Sequence, residues 1–353
     1  MRFTMTRLFS TAAFILLTLA ASSQTVTTVA TGLNGPRDLR FGPDGALYVA
    51  EAGTGGFNGP FNCEQVPSPV GPYHGGLTAT VTRIVPNNSQ TVAVSGLPSA
   101  ISSLPSGDTN GASDVAFLGD NLFVLIAGGG CSHGNPDDPA GIVRADVKKG
   151  TWDYVSDLSS FLQANPAAQP NPADFEPDGT FFSMVQHNGH LYAVEPNRGE
   201  IVRINPGGRA ELFLDLSAIQ GHQVPTAITF HDGYFYVGTL NLFPIVPGAA
   251  KIYKISEDGR IVDTITGLTT VTGITFDLRG RLYAVELSTL PGFPSPGAGK
   301  LVRVDGSNQL VDIITGLVVP IGLTTGPDGA LYLSNFGAAP PGLGQVLRVD
   351  PGN

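Results

Sequence analysis

Six times the chain starts a short β-rich run with a hydrophobic residue followed by an aromatic one: Leu47-Tyr48, Leu122-Phe123, Leu191-Tyr192, Phe235-Tyr236, Leu282-Tyr283 and Leu331-Tyr332. The aromatic positions lie 75, 69, 44, 47 and 49 residues apart. A unit that recurs at this kind of period cannot bury its apolar face alone, so successive units must stack on one another. The three shorter intervals match the size of a four-stranded propeller blade, and the two longer ones predict insertions.

The clearest unit shows the plan. Val271-Thr-Gly-Ile-Thr-Phe276 alternates, Asp277-Leu-Arg-Gly280 turns, and Arg281-Leu-Tyr-Ala-Val-Glu286 alternates again. Lys300-Leu-Val-Arg-Val304 and Leu310-Val-Asp-Ile-Ile314 supply a third and a fourth strand. Short β-rich runs separated by Gly, Asp and Pro are hairpin-connected strands, so each unit is a four-stranded meander. The pentads Phe41-Gly-Pro-Asp-Gly45 and Thr325-Gly-Pro-Asp-Gly329 are turn chemistry, with Pro fixing φ early and Gly supplying a positive φ later, and their aspartates are read as structural.

The last unit has only three strands before residue 353. The fourth is available near the other end, as Thr25-Val-Thr-Thr-Val29 followed by the Thr31-Gly-Leu33 triad that also ends units at Thr266-Gly-Leu268 and Thr315-Gly-Leu317. Closing the ring with that segment removes the exposed edges of an open array. The expectation is an all-β, six-bladed β-propeller whose C-terminal blade is completed by an N-terminal strand, one domain over residues 24–353.

Residues 1–23 carry Arg2 and Arg7 ahead of an apolar run and then small residues, the pattern of a secretory signal. No later stretch approaches the 18 or so apolar residues a spanning helix needs, so no stable membrane insertion is expected. The destination is secreted or periplasmic. With a net charge of −10 the protein repels nucleic acid, which leaves cations, small molecules or neutral surfaces as partners. A monomer is expected.

Four units are elaborated between their second and third strands, at 52–78, 240–248, 287–299 and 336–344. Loops at the same place in the repeat emerge on one face of the disc, which makes that face the expected contact surface for a small molecule or an extracellular protein. Phe57, Phe61, Tyr73, Phe243, Phe293 and Phe336 either contact a ligand there or pin the loops down. Cys63 and Cys131 fall in the inserts of neighbouring units, and in an oxidising compartment they are expected to form a disulfide. The junction between units two and three holds Asp157-Leu-Ser-Ser-Phe-Leu-Gln-Ala164, a short helix capped by the acid.

Three residues after each repeat aromatic stand Glu51, Ile126, Glu195, Thr239, Glu286 and Asn335. If these positions end the inner strands at the channel mouth, three carboxylates and two neutral oxygen donors converge there. Ca²⁺ is then the candidate cofactor, since it takes six to eight oxygens and offsets the repulsion between the acids. The alternative is a hydrated ring of hydrogen-bonded acids. Arg37, Asp38 and Asp114, just before or within the first strands, are candidate pairing partners, with Arg37 facing Glu51 or Asp38. The six histidines show neither a metal-hydrolase motif nor a common phase, and His133 and His222 are the better functional candidates among them.

The run from Thr31 to Gly53, together with Gly141-Ile-Val-Arg144, Gly199-Glu-Ile-Val-Arg-Ile204 and Gly344-Gln-Val-Leu-Arg-Val349, resembles the ScyD/ScyE family of secreted six-bladed, NHL/TolB-like propellers. The likeness spans nearly the whole chain after the leader. It implies a fold and an export route, and an association by name with scytonemin biosynthesis, without agreed catalytic residues. The wider propeller group includes Ca²⁺-dependent lactonases and streptogramin-type lyases. Of the lactonase ligands only Glu51, Glu195 and Glu286 have plausible counterparts, with Ile126 and Thr239 where Asn or Asp is expected. The paired histidines of the lyases have no match. A binding or scaffold module is therefore the leading expectation, and a lactonase-like hydrolase or lyase the alternative.

Overall fold

The computed structural model describes residues 24–104 and 107–352, so the expected leader at 1–23 lies outside the described residues. Six antiparallel sheets follow one another along the chain. Blade one is Pro36–Phe41, Leu47–Glu51, His74–Ile84 and Gln90–Ile101, with Thr109–Asn110 added at its outer edge. Blade two is Ala112–Leu118, Asn121–Ile126, Gly141–Asp146 and Thr151–Asp157; blade three is Ser183–His187, His190–Glu195, Glu200–Ile204 and Ala210–Asp215. Blade four is Pro225–His231, Tyr234–Thr239, Ala250–Ser256 and Ile261–Leu268; blade five is Val271–Phe276, Leu282–Glu286, Gly299–Asp305 and Gln309–Leu317. Blade six joins Leu323–Thr325, Leu331–Asn335 and Gly344–Val349 to Val26–Leu33. That last pairing runs antiparallel from Val26 opposite Val349 to Leu33 opposite Gly344, and it closes a six-bladed β-propeller.

The first strand of each blade touches the first strands of its neighbours, so these strands line the axis. This placement corrects one expectation. Glu51, Glu195, Glu286 and their counterparts end the second strands, one strand out from the axis.

The repeat follows from the two-residue period of a strand buried on both faces. In Leu47–Glu51, Tyr48 and Ala50 pack into the core between blades one and two, while Leu47 and Val49 enter the core between blades six and one. Leu122, Val124 and Ile126 of blade two face Tyr48 and Ala50, and Phe123 and Leu125 turn toward blade three. The alternating large residues of the second strand are what join one blade to the next.

On the face formed by the first-to-second-strand turns, Asp44 accepts hydrogen bonds from the Ala46 N–H at 3.1 Å, the Tyr48 hydroxyl at 3.1 Å and Arg83 Nη2 at 2.7 Å. Asp328 repeats the pattern with Ala330, Tyr332 and Arg348. Burial raises the Asp44 pKa, but the Arg83 and backbone hydrogen bonds outweigh it and hold the carboxyl below its usual range. The aspartates of the Pro-Asp-Gly turns are therefore structural, as expected.

Two short helices lie in the connections between blades. Leu158–Ala164 is capped by Asp157, which accepts from the Ser160 N–H at 2.8 Å. Leu216–Gln220 is capped in the same way by Asp215. Among the described residues no helix is long and apolar enough to cross a membrane.

Candidate binding face

In a meander, the connections between second and third strands share a face with those that lead from one blade into the next. All the candidate residues except the channel network lie on or just below this face. Cys63 and Cys131 form the expected disulfide, tying the first insert to the short turn Cys131–His133. The first insert closes on itself there, with Gly75 N–H donating to Asn58 O at 2.9 Å, and it packs tightly on the turn: a Cβ on Gly75 would sit 2.3 Å from Gly134 O. Only glycine fits at that crossing.

Beneath the disulfide lies a buried polar chain. Asn110 donates to the Tyr73 hydroxyl at 3.3 Å, which donates to Glu176 Oε1 at 3.3 Å. His133 Nε2 stands 3.5 Å from Glu176 Oε2, and neither atom has a hydrogen-bond partner. The Tyr73 and His133 rings tilt together with centroids 4.7 Å apart. Ser132 donates through its N–H at 2.8 Å and its hydroxyl at 2.6 Å to Asp178 Oδ2. Desolvation lowers the His133 pKa to about 4, which leaves the imidazole neutral at neutral pH, and it pushes the Glu176 carboxyl well above its ordinary value. Ser132 Oγ also lies 3.4 Å from His133 Nδ1, and Ser132, His133 and Asp178 are all buried, so the group serves as support for the loops above it. Its effect is to brace the inserts of blades one and two against the 172–178 loop. His222 stands nearby in the same support, with Nε2 at 2.9 Å from Asp174 Oδ2.

The repeat-end residues share one task. Glu51 accepts from the Asn34 N–H at 2.6 Å, Glu286 from the Thr269 N–H at 2.5 Å and Asn335 from the Val318 N–H at 2.9 Å. Glu195 accepts from the Thr180 and Arg198 N–H groups at 3.3 and 2.7 Å. In all four, the side chain at the end of the second strand holds loop backbone next to its own blade. Thr239 instead accepts from the Lys251 N–H at 3.0 Å, and Ile126 is fully buried. Glu286 Oε2 also lies 3.3 Å from Lys300 Nζ. Among the described residues no group of three or more His, Cys, Asp and Glu side chains is close enough to hold a metal ion together.

Burial raises the Glu195 pKa to about 7, and burial with the Glu195 charge does the same for Glu200, its direct partner across the strands. A carboxyl raised in the folded state contributes stability that is fully present below the unfolded value and lost as pH rises through the folded one. The unfolding free energy should therefore decline between pH 4.5 and 7. Glu200→Gln should flatten that decline and stabilise the protein above pH 7 by about 1–2 kcal/mol after allowance for solvent screening, with no gain at pH 4. Urea denaturation across this pH series is the check, and an unchanged slope would contradict the assignment.

The channel itself is bridged by a network that the sequence reading did not assemble. Arg40 Nη2 lies 3.4 Å from Asp38 Oδ2 and 3.3 Å from Asp114 Oδ2, and its guanidinium also reaches the carbonyls of Met184 and Leu323. Ser183 donates to both aspartates at 3.0 and 3.1 Å. Asp38 also accepts from the Leu39 N–H, and Asp114 from those of Val115 and Met184. One cation thus joins the first strands of blades one, two, three and six. Arg37 pairs with neither Glu51 nor Asp38; its Nη2 donates to the Thr109 carbonyl and lies 3.4 Å from Asp108 Oδ1.

Exposed apolar side chains gather on the inserts. Phe57 is fully exposed and Phe293 72% exposed, and Phe61, Phe243, Val246, Leu290 and Leu343 lie open on the same loops. The Phe243 and Phe293 rings, from blades four and five, stand 5.9 Å apart, and the two inserts are joined by a bridge between Ile245 and Gly292. Tyr73, by contrast, is a buried pin.

No protein-family model matches the chain, and no curated protein matches it. Solved propeller structures do share the fold. A Thermus thermophilus protein described as a putative oxidoreductase (glucose dehydrogenase) superposes with a TM-score of 0.57 at 17% identity, over 93% of this chain and 100% of that one. The PQQ-bound aldose sugar dehydrogenase of Streptomyces coelicolor gives 0.56 at 16% identity, over 93% and 98%. A gluconolactonase from Xanthomonas campestris gives 0.54 at 10% identity, over 93% and 90%. These similarities establish the architecture.

Proposed function

We propose that this propeller is a binding or scaffold module that engages a small molecule or an extracellular protein through the insert-bearing face. The observation that carries this reading is the set of large apolar side chains left open on those inserts, above a base stiffened by a disulfide and a buried hydrogen-bonded chain. Patches of this kind on a rigid support are characteristic of contact surfaces. The disulfide also supports a secreted or periplasmic setting. The resemblance to the ScyD/ScyE family is consistent with an exported propeller of this type.

The alternative is a Ca²⁺-dependent lactonase-like hydrolase or lyase. It would need Glu51, Glu195, Glu286, Asn335 and Thr239 to turn their oxygens toward one point. Each of these side chains already accepts a backbone N–H close to its own blade, which does not fit a cation that requires six to eight shared oxygens.

The test is a thermal-shift screen of small molecules and glycans on the native protein and on a Phe57→Ser/Phe243→Ser/Phe293→Ser variant. A ligand at 100 times its Kd stabilises by about 2.7 kcal/mol, and that shift should vanish in the variant while the unliganded melting temperature stays the same. Shifts that persist in the variant but disappear in Glu195→Gln would overturn the reading in favour of the acidic positions.

A further inference from the structure

The inserts of blades four, five and six, at 240–248, 287–299 and 336–344, contain no Asp, Glu, Lys, Arg or His, in a chain that is 14% charged, and no Trp or Tyr. What they expose is apolar: Leu242, Phe243, Val246, Leu290, Phe293 and Leu343 stand between 36% and 72% open. The roots of the three inserts meet in one cluster, where Leu240 and Ala338 pack with the buried Leu287, Val319 and Ile321. They therefore form one supported patch rather than three separate loops.

Polar groups of these inserts turn inward. Ile245 and Gly292 exchange backbone hydrogen bonds between blades four and five at 2.6 and 3.2 Å, and the N–H groups of Thr289, Ala298 and Leu343 donate to the carbonyls of Ala298, Ser295 and Pro340 at 3.0, 3.1 and 3.3 Å. Thr289 Oγ1 and Ser295 Oγ donate to carbonyls of their own insert at 3.0 and 3.3 Å, and Ser288 Oγ accepts from the Ser295 N–H at 3.3 Å. The seven prolines of the three inserts have no N–H to satisfy. A surface that meets its own hydrogen-bonding needs loses little on passing from water into an apolar phase. A protein interface asks for the opposite: anchors of Arg, Trp or Tyr and about one hydrogen bond per 100–200 Å².

We propose that this patch seats the propeller on a neutral lipid surface, with the six exposed apolar side chains entering the boundary between headgroups and acyl chains while the disc stays outside the bilayer. This assignment rests on the reading of the insert-bearing face as the contact surface and names its partner. The lipid is zwitterionic, because a net charge of −10 repels anionic headgroups and the patch has no cation to draw them in.

Co-sedimentation of the full chain with phosphatidylcholine vesicles tests it. Binding should be the same at ionic strengths of about 0.05 M and about 0.5 M, and added phosphatidylglycerol should not strengthen it. Phe243→Ser/Phe293→Ser should weaken it by about tenfold or more, since each ring takes a large apolar area out of water. Leu278→Ser, which removes a side chain 74% exposed on the turn face opposite the inserts, should leave it unchanged. In Phe293→Trp the added indole emission should shift to the blue with vesicles and be quenched by lipid brominated on its acyl chains. Absence of vesicle binding, equal binding by the double variant, or binding that needs anionic lipid and fades with salt would each overturn the proposal. A dimer of the chain that the double variant dissolves, without vesicle binding, would give the patch to a second copy instead. A small-molecule thermal shift that still depends on Phe243 and Phe293 when vesicles do not bind would remove the lipid and leave the contact face standing.

Discussion

Replacing Arg40 by Met is expected to cost about 3–5 kcal/mol of stability at neutral pH, the loss typical when one member of a buried ionic cluster is removed. Arg40 keeps 21% of its side-chain exposure, whereas Asp38 and Asp114 keep 6% and 0%, so the carboxylates suffer most from losing the cation. Burial already drives the Asp114 pKa well above its usual value, with Arg40 the main opposing influence. Without Arg40 that pKa rises further. A raised carboxyl favours the folded state at low pH and loses that advantage as pH rises, so the deficit should be larger at pH 8 than at pH 5. Adding Asp38→Asn and Asp114→Asn to Arg40→Met should recover a large part of the loss. Denaturant melts of the three proteins at both pH values decide the matter, and a deficit below about 1 kcal/mol, the scale of an exposed ion pair, would show that the cluster does not hold the first strands together.

The disulfide carries the second large effect. Its partners are 68 residues apart in sequence, and in the chain-entropy account a loop of that length stabilises by roughly 4 kcal/mol. Cys63→Ser/Cys131→Ser should lose up to that amount, and reduction of the native protein should reproduce the loss. The local consequence is distinct. His133 and Tyr73 sit directly beneath the bridge, so amide exchange in 52–73 and 131–135 should accelerate well before that of the second strands. Uniform acceleration across all blades would contradict this picture.

The architecture was legible because its cause is local and repeated. The hydrophobic-aromatic pair starts or lies near the start of each second strand, its alternation fills two interblade cores, and the β-run at 25–29 was the one available partner for the last three strands. Asp157 announced its helix through ordinary capping chemistry; Asp215-Leu-Ser repeats that signal and marks the helix that was not assigned. The disulfide followed from insert positions and compartment. The oxygen ring was misplaced by one strand, because spacing shows that residues share a phase without showing which strand lines the axis. The Arg40 network joins residues separated by as many as 283 positions, and the Tyr73–Glu176 contact by 103, distances that no local pattern reports. One clue was present: Arg37-Asp-Leu-Arg40 puts charges into a strand that the fold buries.

The pairing of Val26 with Val349 orders events in time as well as in space. During synthesis the strand at 26–33 waits without its partner while five blades form behind it, and the ring can latch only when the segment at 344–349 has left the ribosome. Closing a contact of such sequence separation is a slow step. Until then, the waiting strand and the growing end each offer an unpaired edge that a chaperone, or a second copy of the chain, can reach first.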